Sequence, residues 1–226
     1  MTRALFVHRS VGHNLIADGG VYELVKAADP QLELNDYDQN TDTLTDSQGQ
    51  QKQLGFIFPD GNTKPEDYAQ IFSDQVESAY RPILDLAMGY DTIVIKSCYP
   101  NSNIKTDEEL EAVKSYYQAI AAFFKSRSSK QLLILTSPPL TPLMTNQKAA
   151  ARARQLATWL ASIDLGDNVR VFNLFDLLAA PEGERQANRL RKNYRRWLPV
   201  DSHPNPKASQ EIAPLLAEFI RTVRTN

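Results

Sequence analysis

At 226 residues the chain has room for one α/β domain with a substantial core and is short for two. Its 25 Lys and Arg against 27 Asp and Glu leave a formal net charge of -2, so there is no global basic field to draw it to nucleic acid or anionic lipid. A single cysteine, Cys98, excludes an intramolecular disulfide framework, and no stretch approaches the roughly 20 apolar residues of a membrane span.

The first element is "ALFVH" (4–8), a short apolar run that reads as a buried strand. A helical pattern, "GVYELVKAAD" (20–29), separates it from a second strand, "LELNDY" (32–37). Residues 38–67 break the rhythm: they are rich in Asp, Asn, Gln, Gly and Thr, with one apolar island at Phe56–Phe58. A loop of that length inside a compact domain is usually functional, and it is expected to cover part of a pocket. Strands "TIVIKS" (92–97), "QLLILTS" (131–137) and "VRVFNLF" (169–175) then alternate with helical patterns at 107–127, 146–163 and 207–224. Thr106 can cap the first of these, with Asp107, Glu108 and Glu109 set against the helix dipole. Such alternation predicts an open, mostly parallel sheet with helices on both faces, in one domain spanning 1–226.

In sheets of this kind ligands bind beyond the carboxyl ends of the strands. There the chain places "HRSVGH" (His8 to His13), "KSCYPNSN" (Lys96 to Asn103) and "SPPLTP", and "VDSHPNP" (200–206) comes just before the last helix. These are the parts of a serine hydrolase: a serine on a turn, a histidine with a nearby carboxylate, and amide donors for an oxyanion.

Taken in order, "FVHRSVGHN", "KSCYPNSNI", "PP" and "DSHPN" resemble the blocks of the SGNH (GDSL-type) hydrolase superfamily, in a bacterial branch whose first block is not Gly-Asp-Ser. The resemblance covers most of the chain. It implies a flavodoxin-like three-layer sandwich with about five mostly parallel strands, no metal and no organic cofactor. It also implies Ser10 as nucleophile, His203 as general base, Asp201 as the acid, and Asn101 or Asn103 as oxyanion donor. The chain departs from the family where the usual Asp-x-x-His has Val200 three before His203 and Asp201 only two before it. Gly12 and His13 are candidate pocket residues, and no residue is assigned to the family's second-block glycine.

Each residue also has a plainer reading. Ser10 suits a helix cap, His203 a surface loop, and Asn101 and Asn103 the turn after Pro100. His8 and His13 flank the serine, but no carboxylate or thiolate spacing completes a metal site, and His8 reads as structural. Cys98 reads as packing, Lys96 as a cap for carbonyls, and "RLRKNYRRW" (189–197) as a solvated helical face. The function expected is cleavage of a small-molecule ester, with a small or carbohydrate-borne acyl group favoured by the polar segment 38–67. No nucleic-acid or membrane partner is expected, and the location expected is cytoplasmic. The alternative is a non-catalytic ligand-binding relative of the same fold, to which the displaced acid would point.

Overall fold

The computed structural model describes residues 2–59 and 62–222. A seven-stranded sheet forms its middle layer, in the order β4-β3-β2-β1-β5-β6-β7. Five strands are parallel: β1 (Thr2–His8), β2 (Leu32–Asp38), β5 (Thr92–Lys96), β6 (Gln131–Leu135) and β7 (Val169–Phe172). They are the five read from the sequence. The two further strands, β3 (Thr43–Thr45) and β4 (Gln51–Gln53), add antiparallel at the β2 edge. Three residues each, and in β4 polar and exposed throughout, they carry none of the apolar run that marks a buried strand. The segment 38–67 is thus partly sheet, and its residues Asp60 and Gly61 lie outside the described residues.

One face is covered by α1 (Val11–Ala17), α2 (Val21–Ala28) and α8 (Pro206–Thr222), which pack on Ala4, Phe6, Leu34, Val94, Leu133 and Leu135. The other is covered by α3 (Pro65–Ile71), α4 (Arg81–Met88), α5 (Asp107–Lys125) and α6 (Gln147–Ser162), packed on Leu5, Val7, Ile93, Ile95, Leu132 and Ile134. Alternate residues of β1, β5 and β6 therefore serve opposite layers, which is why those strands are apolar at consecutive positions. Each fully buried Leu, Ile, Val or Phe among them contributes about 1.5–3 kcal/mol of transfer free energy. The Thr106 cap forms as expected, its side chain accepting from the Glu109 amide.

Two local readings are corrected. "VRVFNLF" is not one strand: β7 stops at Phe172, and the Asn173 side chain accepts from the Asp176 amide to start α7 (Leu174–Leu178). The run 189–197 is not a helical face. Only Lys192–Tyr194 makes a 3-10 turn, while buried Leu190 and Tyr194 fix an irregular loop to the domain. The helix α1, which begins at Val11, is too short and too polar at His13 and Asn14 to show helical spacing.

Candidate active site

The chain leaves β1 toward β2 on one side and returns to β5 on the other, so the strand order reverses between β1 and β5. In open α/β sheets this switch point is where the crevice at the carboxyl edge forms. Its two walls are the turn after β1, carrying Ser10, and the 3-10 turn Tyr99–Ser102 after β5.

Ser10 sits at the N-cap position of α1 with φ 48 and ψ -95, strained backbone for a residue with a Cβ, and its hydroxyl makes no capping hydrogen bond. The helix-cap reading therefore does not describe it. Two residues on, Gly12 lets α1 press onto the end of β1: a Cβ there would lie 2.4 Å from the Cβ of fully buried His8. Gly12 is thus a packing residue beneath the turn. Gly12→Ala would gain about 1 kcal/mol of helix propensity. That gain is smaller than the overpacking cost of about 1–3 kcal/mol, since the clashing atom is a Cβ and cannot swing away. A net fall in the urea midpoint is expected.

His203 lies in the loop before α8. Its backbone N–H donates to Asp201 Oδ1 at 2.9 Å, and its ring Nδ1 lies 2.6 Å from the same oxygen. The backbone bond closes an Asx turn, folding the carboxylate back over the histidine two residues later, which an extended segment would not allow. Partial burial raises the Asp201 carboxyl, but the two hydrogen bonds and the imidazole charge outweigh it and hold the group below its ordinary value. An ionised Asp201 makes Nδ1 the protonated nitrogen and leaves Nε2 as the base.

Tyr99 links this pair to the strand ends. Its ring stands edge-on to the His203 imidazole, centroids 4.9 Å apart, and burial pushes its hydroxyl pKa up. Ser10 and His203 thus belong to the same edge, and no hydrogen bond joins the serine hydroxyl to the imidazole among the described residues. Tyr99 was not singled out in the sequence; its place between Cys98 and Pro100, at a strand end, was the available signal.

The two asparagines part company. The Asn101 amide donates to the carbonyls of Asn62 at 3.0 Å and Thr63 at 3.4 Å, both left-handed residues. It therefore ties the polar segment to the edge. Asn103 accepts from the Thr145 hydroxyl through its own amide oxygen at 3.1 Å, an arrangement that fixes the orientation of its NH2 group. At its other end the polar segment also reaches the site: Asn40 accepts from Arg9, and the Gln39 amide donates to the His8 carbonyl.

Two more His–Asp pairs flank Ser10 in sequence. Buried His8 Nε2 meets Asp36 at 2.8 Å, and Asp36 also accepts from Tyr22. His13, mostly exposed, meets Asp38 through Nδ1 at 2.9 Å. Lys96, beside them on β5, is fully buried and donates to the Ser97 carbonyl at 3.1 Å. Burial pushes its pKa down, with the charges of Cys98 and Asp38 pulling back. A lysine lowered in the folded state binds fewer protons there than when unfolded, so stability rises with pH from the folded value up to the ordinary one near 10.4. Lys96→Met is expected to add on the order of 1 kcal/mol at pH 7 and to flatten that alkaline rise, read by urea titrations at several pH values.

A further cleft of about 860 Å³ is lined by Arg154, Trp159, Asp176 and Arg191. Its arginines are engaged by the protein itself, Arg154 with Asp176 and Asn188 and Arg191 with the Ala179 and Asp176 carbonyls.

Comparison with protein-family models and with curated proteins gives no match. Among solved structures, one from Bacteroides fragilis NCTC 9343, provisionally named an acylhydrolase, matches with a TM-score of 0.53 at 12% identity, over 99% of this chain and 88% of that one. The chain therefore has the three-layer α/β fold of that protein, a likeness of backbone and not of sequence.

Proposed function

We propose that the chain is a serine acyl hydrolase of the SGNH type that cleaves an ester through an acyl-enzyme on Ser10. The observation that carries this reading is a strained serine at a helix N-cap that does not cap, on the sheet edge shared with a preformed Asp201–His203 pair. The name of the structural neighbour points the same way.

In this reading His203 Nε2 takes the Ser10 proton as Oγ attacks the acyl carbonyl, and Asp201 stabilises the imidazolium. The Ser10 backbone N–H and an asparagine amide receive the oxyanion. Asn103 is the readier donor, because the Asn101 amide already holds the 62–63 backbone. The imidazolium then protonates the leaving alcohol, and a water activated by the same nitrogen releases the acid.

The non-catalytic alternative drew its support from Val200 standing where the family's acid stands. That support weakens once Asp201 reaches the ring. A fluorophosphonate tests the proposal: a covalent adduct located on Ser10 by peptide mass spectrometry is expected. An unlabelled Ser10 in folded protein, with no hydrolysis across an acyl-ester panel, would leave a binding protein.

A further inference from the structure

Large apolar side chains exposed among the described residues are concentrated beside the site. Trp197 is 91% exposed, Leu198 52% and Val200 56%, all within six residues of His203. Leu143 is 69% exposed and Met144 43%, on the loop after β6. The Thr141 amide donates to the Ser202 hydroxyl at 3.0 Å, so the two apolar tips are carried by loops bonded to each other. Soluble surfaces commonly carry single exposed apolar residues; five on two joined loops, one a nearly bare tryptophan, call for a partner.

The charge around them indicates which. Between Arg185 and Lys207 the chain has seven Lys and Arg and a single acid, Asp201, whereas the whole molecule is slightly acidic. Arg185, Lys192, Arg196 and Lys207 are exposed, although Lys207 lies 3.8 Å from Glu211 and Arg196 donates to the Pro204 carbonyl. Glu182 and Glu184 precede the run. Tryptophan favours the headgroup level of a bilayer, and clustered cations favour an anionic leaflet. A nucleic acid would use the cations but leave Leu143, Met144, Leu198 and Val200 without a role, and a second copy of this acidic chain would not account for the local excess of positive charge.

We propose that the 197–200 tip and the Leu143–Met144 tip, with the cations of 185–207, form a docking surface for an anionic lipid interface beside the Ser10–His203 edge. The loop is held in place for this, since Arg195 pairs with Pro204 across a β-bridge and its side chain donates to the Leu190 carbonyl. The expectation of no membrane partner was drawn from the whole-chain charge, which this local excess escapes. Resting on the hydrolase reading, it brings lipid-borne esters into range beside the small or carbohydrate-borne acyl group expected from the polar segment 38–67.

The test uses Trp159→Phe, which leaves Trp197 as the sole tryptophan of two. Mixed with phosphatidylglycerol–phosphatidylcholine vesicles, this variant is expected to shift its emission to the blue and to sediment with the lipid. Raising salt from about 50 to about 500 mM should weaken binding several-fold. In the wild-type background, Trp197→Ala should weaken it about tenfold or more without changing the circular dichroism, because the exposed ring packs on nothing that holds the fold. Ser10→Ala should bind vesicles as the wild type does, so the result is independent of the catalytic reading. Equal binding to pure phosphatidylcholine, no blue shift on anionic vesicles, a shift that grows with protein concentration without lipid, or retention on single-stranded RNA with none on vesicles would each overturn the proposal.

Discussion

Ser10→Ala, His203→Ala and the double variant are expected to lose ester turnover to a common floor, about 10⁶ below the wild type at most. A nucleophile and its base act as one unit, so removing the second costs nothing once the first is gone. Each side chain is only partly buried, and neither helps the core clusters that hold the sheet, so urea midpoints should move little. Turnover of a chromogenic acetyl ester, read beside the urea curve of each variant, separates lost chemistry from lost fold. Losses that multiply in the double variant would mean that Ser10 and His203 act on different steps, and the acyl-enzyme reading would fail.

The sequence carried the architecture wherever burial dictated residue type. β1, β5 and β6 are covered on both sides, and their continuous apolar runs follow from that. What escaped were elements whose reasons lie elsewhere in the chain. The β3–β4 hairpin is polar and is strand only because β2 offers an unpaired edge. α1 begins where Gly12 can touch His8, a contact between the helix and its own strand that no hydrophobic period records. The site shows the same division. Ser10, His203 and Asp201 stood out as residue types at element ends, but the orientation of the acid depended on an Asx turn, and the different duties of Asn101 and Asn103 depended on Asn62, Thr63 and Thr145, distant in sequence. Tyr99 reads as an ordinary aromatic until its ring is found against His203. The cations of 189–197, expected on a helix, gain their meaning from an irregular loop that exposes Trp197.

Asp201→Asn should cut turnover by about 10⁴ at neutral pH, the loss that the same replacement brings in the serine-protease triad. The Asx turn can survive it, because an amide oxygen still accepts from the His203 backbone N–H, so the loop and the exposed rim should keep their conformation. What disappears is the negative charge 2.6 Å from Nδ1, and with it both the preference for the Nδ1-protonated ring and the stabilisation of the imidazolium. The carboxyl's lowered pKa fixes the pH at which this should be measured. A depressed folded value means that its contribution to stability is complete above the ordinary carboxylate value near 3.9 and is lost only as pH falls through the lower folded value. Between about pH 5 and 8 the wild-type carboxyl is therefore ionised throughout, so the charge that the variant removes is present at every pH in the interval. The deficit in kcat should accordingly be present across that whole interval, while fluorophosphonate labelling of Ser10 slows in step with it. A loss of only a few-fold would assign the orientation of His203 to its Tyr99 contact and the backbone, reducing the machinery to a Ser10–His203 dyad; a deficit that vanished at one end of the interval would mean that a group other than His203 supplies the base there.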